Sequence, residues 1–344
     1  MKFLPVSTES LEAAAYILRS GGLVAFPTET VYGLGADAFN PEALAKVFEV
    51  KGRPRFDPLI IHIAAIEDLE KTANVSLLSK EARKKLYMLA EKFWPGPLSI
   101  ILPKNEKIPG IATAGLSTAA VRLPDHEAAR KLISLSGTAV AAPSANPFGS
   151  ISPTRAEHVR ELGEKVDLIL DGGSTRIGLE STVLDITGDC VKILRPGGTP
   201  KEEIEKLVGA VQSPVENELC PQAPSSPGQL KSHYAPKTPL SLFSGEAIAG
   251  LTCEKPCAFL FFDGSTRDAW LRAQEQRHGS PVIKVLSETG QVIQAAARLF
   301  ETLHELDSLG VSRIFAQLAP HEGLGQAIND RLRRGSNDFS GTGY

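Results

Sequence analysis

The chain is poor in the residues that mark several common classes of protein. It has 4 cysteines in 344 residues, at positions 190, 220, 253 and 257. That is too few for a disulfide framework at this length and fits a reducing compartment. Cys253 and Cys257 read as structural rather than metal-binding, because no second Cys/His pair accompanies them. No apolar run approaches about 18 residues, so no membrane span is expected. The start, MKFLPVSTES, lacks signal-peptide architecture, and a cytoplasmic protein is the expectation. The formal net charge is only -3, with a pI near 6.2, which argues against a broad polyanion-binding surface but leaves room for a local basic pocket. Phosphate-loop, dinucleotide and nucleophile-elbow signatures are all absent, as is zinc-type His/Cys spacing. No internal repeat or low-complexity tract occurs.

What remains is an ordinary soluble composition, 42% apolar and 22% charged, at a length that suits about two domains. Ser7 or Thr8 caps a first helix through Arg19, which Gly21-Gly22 ends, and Leu23 to Phe26 is a buried strand. A glycine-punctuated turn at Gly33 and Gly35 leads to Asn40-Pro41, a side-chain cap followed by proline at the first helical position, and a helix to about Val50. Strands are expected at Leu59 to Ile63, Leu98 to Leu102, Thr118 to Leu123, Ala139 to Ala142 and Leu168 to Leu170. Helices are expected at Ser79 to Phe93, from Glu127 to Ser136 with Asp125 as cap, and at Thr154 to Leu162. Ser181 to Ile186 and Val191 to Leu194 form a hairpin, followed by a helix over Lys201 to Val208. Many short strands without strict alternation predict a mixed α/β domain with a partly antiparallel sheet.

Residues 213 to 239 are rich in proline and serine and read as a linker. Beyond them lie a strand at Pro256 to Phe262, an amphipathic helix over Val292 to Leu306, a strand at Val311 to Gln317 and a helix over Ala327 to Arg334. Strand, helix, strand, helix predicts a smaller Rossmann-like α/β domain. The division expected is 1–208, a linker at 209–239, and 240–344.

Five segments share one pattern, in which a strand ends, polar side chains follow, and proline or glycine fixes the backbone. They are Lys51/Arg53, Thr118/Arg122, Ser144/Asn146, Ser181/Thr182 and Arg195. Arg53 precedes Pro54, which favours extended geometry, and side chains two apart in an extended chain point the same way. Lys51 and Arg53 are therefore expected to form one cationic patch. Four cations in such settings suit a ligand with several phosphates or carboxylates. His62 reads equally as a core histidine or a ligand contact. The stretch 26–62 holds no nucleophile, and if the chain is an enzyme, positioning and electrostatic stabilisation of a phosphoryl group by arginines and Mg2+ is expected rather than covalent catalysis.

The motifs PTETVYGLG, KGRP, PLIIHI, STAAVRLP, APSAN, ESTVLD and RPGG, in that order, resemble those of the YrdC-type threonylcarbamoyl-AMP synthases. SHYAP in the linker, followed by an α/β module, resembles their long two-domain form. The resemblance implies a YrdC-like twisted mixed sheet with helices, and a reaction of L-threonine, bicarbonate or CO2 and ATP that gives threonylcarbamoyl-adenylate and pyrophosphate. It implies Mg2+ with ATP and no tightly bound cofactor, and no membrane. A partner transferase then modifies adenosine 37 of tRNA, and a weak tRNA contact by this chain is left open. By the resemblance, Thr30, His62, Arg122, Ala142 and Ser181 hold threonine. Lys51, Arg53, Asp57, Thr118, Ser144, Asn146, Ser152, Arg195 and Tyr234 meet the nucleotide, with Lys51 and Arg53 as catalytic residues and Tyr234 reaching it from the linker. The family commonly has Asp-Asn where this chain has Phe56-Asp57. A carboxylate at 57 repels phosphate unless Mg2+ or Arg55 lies between them. Two rival readings are a non-catalytic RNA-binding module and a carbamoyl-adenylate maker in metallocentre maturation. The second is disfavoured by the lack of the zinc-finger and acylphosphatase modules expected there.

Overall fold

The computed structural model describes residues 2–213, 233–244, 256–273 and 281–336. The chain divides into two compact units, one of residues 1–148 and 152–230, the other of 149–151 and 231–344. Of the expected linker, residues 214–232 lie outside the described residues.

The first unit opens with β1 (Lys2–Pro5), which the sequence reading did not anticipate, and α1 (Thr8–Arg19). Ser7 caps α1 reciprocally, accepting from Ser10 N at 3.1 Å while Ser10 Oγ accepts from Ser7 N at 2.8 Å, an arrangement that satisfies two orphan donors. β2 (Val24–Phe26) then pairs antiparallel with β3 (Gly33–Asp37). The glycines of β3 were expected to make a turn. They are strand residues instead, because a Cβ at Gly35 would stand 2.7 Å from the Phe26 ring and 2.9 Å from Val140. Only glycine lets β3 run between those neighbours.

Asn40 Oδ1 accepts from Glu42 N (3.0 Å) and Ala43 N (3.1 Å), and Pro41 opens α2 (Pro41–Lys51), as expected. α2 ends at Gly52, whose φ of 62° is left-handed. Next come β4 (Ile60–His62), a short α3 (Leu69–Thr72), α4 (Lys80–Phe93), β5 (Leu98–Pro103) and β6 (Thr118–Arg122). They are followed by α5 (Glu127–Ser136), β7 (Val140–Ala141), β8 (Leu168–Asp171), β9 (Thr182–Asp185), β10 (Lys192–Arg195) and α6 (Lys201–Val208). Asp125 does not cap α5. That place belongs to His126, and the Asp125 carboxylate pairs instead with Arg176 (2.7 Å) and Arg130 (3.5 Å). The helix expected at 154–162 is a 3-10 segment, Ala156–Lys165, interrupted at Gly163.

The strands form a ten-stranded sheet, in the order β1-β8-β2-β3-β7-β4-β6-β5-β9-β10. β4 and β6 run parallel, as do β5 and β9, whereas β5 is antiparallel to β6 and β9 to β10. Alternation along these strands decides where the core sits and where it does not. Ile61, Leu98, Ile100, Leu102, Ala119, Val121 and Leu184 all join the largest apolar cluster. The alternate positions Ile60, Ile101, Ala120 and Val183 form a separate small patch on the other face. His62, Arg122, Ser99, Ser181 and Thr118 lie two residues from members of that patch, and so share its face.

The second unit holds β11 (Leu240–Phe243), β12 (Ala258–Asp263), α7 (Gly264–Ala273), β13 (Val282–Ser287), α8 (Val292–Asp307), β14 (Ile314–Gln317) and α9 (Gly325–Gly335). Its sheet is parallel throughout, in the order β11-β14-β12-β13. This agrees with the Rossmann-like expectation, although β11, α7 and β13 were not foreseen. Cys257 is disulfide-bonded and Cys190 is a free thiol. One disulfide is no framework, yet it departs from the fully reduced cysteines that a reducing compartment implies. No helix among the described residues is long and apolar enough to cross a membrane.

Candidate active site

The site is built on the sheet face that the main core leaves free. His62 and Arg122 are register partners at the C-terminal ends of parallel β4 and β6. Both are buried, 3% and 4% exposed. Burial pushes the His62 pKa down to about 3, with the Arg122 charge as the second cause, so the ring is neutral near pH 7. The unfolded histidine titrates near 6.5, so between about pH 6.5 and 3 the unfolded chain binds a proton that the folded chain refuses. Stability is therefore expected to fall as the pH drops through that window. Urea unfolding from pH 7 to 4 should show a smaller acid loss for His62→Asn than for the parent, and equal losses would refute the assignment.

Arg122 Nη2 lies 2.7 Å from Glu29 Oε1, and its Nε donates to Gly96 O at 3.2 Å. Thr30 stands three residues before the start of β3, with its hydroxyl 2.8 Å from that of Thr28. Ala142 N donates to Ile60 O at 2.9 Å, which locks the 142–147 segment across β4.

The second group of cations sits around the end of α2. Lys51 is the last helical residue rather than part of an extended pair, and the expected geometry is corrected on that point. The left-handed Gly52 re-aims the chain, so Lys51 Nζ donates to Ser144 O at 2.6 Å and also to Asn146 O. Arg53 turns towards the following loop, donating to Asp57 O (3.1 Å) and Pro58 O (2.8 Å) and pairing with the Asp57 carboxylate at 2.9 Å. The neighbour that neutralises Asp57 is thus Arg53, not Arg55. The two cations still feel each other. Burial first, and the Arg53 charge second, hold the Lys51 pKa well below that of a free lysine. Burial pushes the Asp57 carboxyl up, against the pull of Arg53, Lys51 and Arg195.

Arg195 is buried and acts electrostatically on Asp57 of the second group. Its Nη2 donates to Ser181 O (2.8 Å) and Ser181 Oγ (3.2 Å), and Ser181 Oγ lies 2.8 Å from Ser99 Oγ. Ser152 Oγ donates to the Glu180 carboxylate. Thr118 is the first residue of β6, paired with Pro103 of antiparallel β5. Tyr234 lies in the second unit, buried, with Phe300 stacked at 5.8 Å and the Arg331 guanidinium 4.8 Å from its ring centre.

Sequence reasoning singled out neither Glu29, Ser99 nor Glu180. Glu29 and Glu180 stand inside PTETVYGLG and ESTVLD, so a signal was present. Ser99 is the polar residue that breaks the apolar run of β5, on the same face as Arg122.

Residues 16–197 match the Sua5/YciO/YrdC family, described as "Telomere recombination". Residues 199–336 match the family described as "Threonylcarbamoyl-AMP synthase, C-terminal domain". The threonylcarbamoyl-AMP synthase of Pyrococcus abyssi is 43% identical over 95% of this chain and 94% of its own length. The chain belongs to the threonylcarbamoyl-AMP synthase family. The Bacillus subtilis threonylcarbamoyl-AMP synthase is 42% identical, over 96% of this chain and 94% of its own. Among solved structures, that of P. abyssi Sua5 complexed with L-threonine superposes with a TM-score of 0.85 at 40% identity, covering 97% of each chain. Family membership accounts for the shared order of motifs, and the mixed sheet followed by a smaller α/β unit is the architecture expected of the long form.

Proposed function

We propose that the chain condenses L-threonine, CO2 or bicarbonate and ATP into L-threonylcarbamoyladenylate and pyrophosphate, the first step in modifying adenosine 37 of ANN-decoding tRNAs. The observation that carries this is two buried cationic groups, Arg122 with His62 at the strand ends of the polar sheet face and Lys51 with Arg53 at the end of α2, with Arg195, held by Ser181, acting on Asp57 of the second group. The first group suits an amino acid and the second suits phosphates. Neither contains a poised nucleophile, because the attacking group is the substrate's own carbamate.

Threonine's carboxylate pairs with Arg122, with Thr30, His62, Ala142 and Ser181 around the rest of the molecule. The carbamate oxygen then attacks the α-phosphorus. Lys51, Arg53 and Arg195 take up charge on the phosphates, while Thr118, Ser144, Asn146 and Ser152 line the nucleotide. Negative phosphate favours the charged form of Lys51, against its burial. No group of three His, Cys, Asp or Glu residues that could hold a metal occurs among the described residues. Mg2+ would enter with the ATP phosphates, with Asp57 as the carboxylate within the cation cluster, and it would supply further charge neutralisation there.

The adenylate passes to a partner transferase in the cytoplasm. A direct tRNA contact would be weak, given a net charge of -3, and a purely RNA-binding role would show steep salt dependence without chemistry. Residues 1–208 would carry the reaction, with 209–239 as the linker to the second unit. Pyrophosphate release from ATP, with threonine and bicarbonate omitted in turn, tests the assignment. Release must need both, and release independent of threonine rejects it.

A further inference from the structure

Glu29 has no role in the proposed reaction so far, although its carboxylate stands beside Arg122, the residue assigned to threonine. It lies in the 27–32 segment between β2 and β3, only 2% exposed. Its Oε1 is 2.7 Å from Arg122 Nη2. The contact is one of charge, since neither carboxylate oxygen has a partner of hydrogen-bond geometry among the described residues. A carboxylate oxygen held from water without a donor is unfavourable in a folded protein and marks a place where a donor belongs. Arg122, for its part, already faces an internal anion. An α-amino acid answers both conditions. Its carboxylate can compete with Glu29 for Arg122, and its ammonium supplies the missing donor.

We propose that Glu29 is a catalytic residue of the reaction set out above: it binds the α-ammonium group of L-threonine and removes a proton from it. The step needs that reading to hold. An N–H bond breaks, its electron pair stays on nitrogen, and an O–H bond forms at Glu29. The nitrogen lone pair then makes the N–C bond to CO2, one C=O pair moves onto oxygen, and the second proton leaves nitrogen for water. The carbamate that results carries the oxygen that attacks ATP. Glu29 returns its proton to water when product leaves. Its place next to Arg122 is what makes one residue serve both ends of the reaction. Before substrate arrives it neutralises the buried guanidinium, and afterwards it receives the cation that the substrate brings. His126, at the start of α5, is the next titratable group. Burial lowers its pKa while the Glu29 charge pulls it up, with Arg130, Asp125 and Glu127 also acting on it. Its ring therefore does not compete as the cation for Glu29.

The test uses the full chain and two ligands, L-threonine and 3-hydroxybutyrate, which keeps the carbon skeleton and the carboxylate but lacks the amine. Titration calorimetry on the parent should show L-threonine preferred by at least about tenfold, the value of a charge-assisted hydrogen bond. In a folded Glu29→Gln, with thermal midpoint and ATP binding close to the parent, that preference should collapse. 3-Hydroxybutyrate should bind as well as before or better, since Arg122 has lost its internal anion. Pyrophosphate release at saturating threonine should fall by about a hundredfold, as for removal of a general base. Should Glu29→Gln not fold, Glu29→Asp takes its place. It keeps the charge but draws the oxygen back by one methylene, so it should keep the preference for threonine and lose about tenfold or more in turnover. A Glu29→Gln that still prefers threonine, or either variant turning over like the parent, overturns the proposal. A parent chain that neither binds threonine nor needs it for pyrophosphate release would instead strike at the function itself.

Discussion

Lys51→Ala is expected to lower threonine-dependent pyrophosphate release by about a hundred- to a thousandfold, the scale seen when one preorganised donor is removed from a transition state that develops charge. The ammonium is carried by the last turn of α2 and aimed by the carbonyls of Ser144 and Asn146. It is 3% exposed, and its charged form is disfavoured by burial. Triphosphate oxygens arriving there would face a donor whose direction is already set. The loss should appear in kcat rather than in the KM for threonine, because threonine is assigned to the Arg122 end of the face. Lys51→Met, which keeps the stem's volume, should behave like Lys51→Ala and so separate charge from packing. Steady-state pyrophosphate assays on both, with urea midpoints to confirm folding, decide the matter. A folded variant within tenfold of the parent would remove Lys51 from the catalytic set.

The second large effect is expected at Gly197. A Cβ built there would stand 2.4 Å from Glu180 O, Ser181 C and Thr182 N, all backbone atoms that cannot turn aside. Gly198 N donates to Glu180 O at 2.9 Å, so the two segments are stitched together at that contact. Gly197→Ala must therefore push RPGG away from ESTVLD, at about 1–3 kcal/mol or more. Two residues earlier, Arg195 would lose its aim at Ser181. The expected result is a fall in the unfolding midpoint together with a loss of threonine-dependent turnover. Gly188→Ala is the control. Nothing lies within 4 Å of a Cβ there, and its cost should stay within about 0.5 kcal/mol. Equal midpoints for the two variants would show that the close approach is not required.

The helices with explicit end signals were legible from the sequence. Asn40-Pro41 opens α2 at the position read, because capping and proline geometry are local. β3 was not legible. Its glycines read as a turn, and only the side chains of Phe26 and Val140 on neighbouring strands explain them. The Lys51/Arg53 pairing was half right. Both residues do join one cluster, but a left-handed Gly52 sends their side chains to different carbonyls. The proposed roles of Lys51, Arg122, Ser181 and Arg195 came from a shared order of motifs, whereas Glu29 drew no notice until Arg122 was seen against it.

By itself, the amino-acid sequence determined the two-part α/β layout, most helix positions and the period-two pattern in TAAVR and LSIIL. It also determined the supply of cations and hydroxyls without a nucleophile. These follow from composition and from interactions within a few residues. Tertiary structure alone decided which of those groups meet. Lys51 reaches carbonyls 93 and 95 residues away, and Glu29 meets Arg122 across the sheet. Alternation says only that a strand has two faces. Which face becomes core and which becomes site is set by strand order and register, and those are fixed by contacts between residues far apart in the chain.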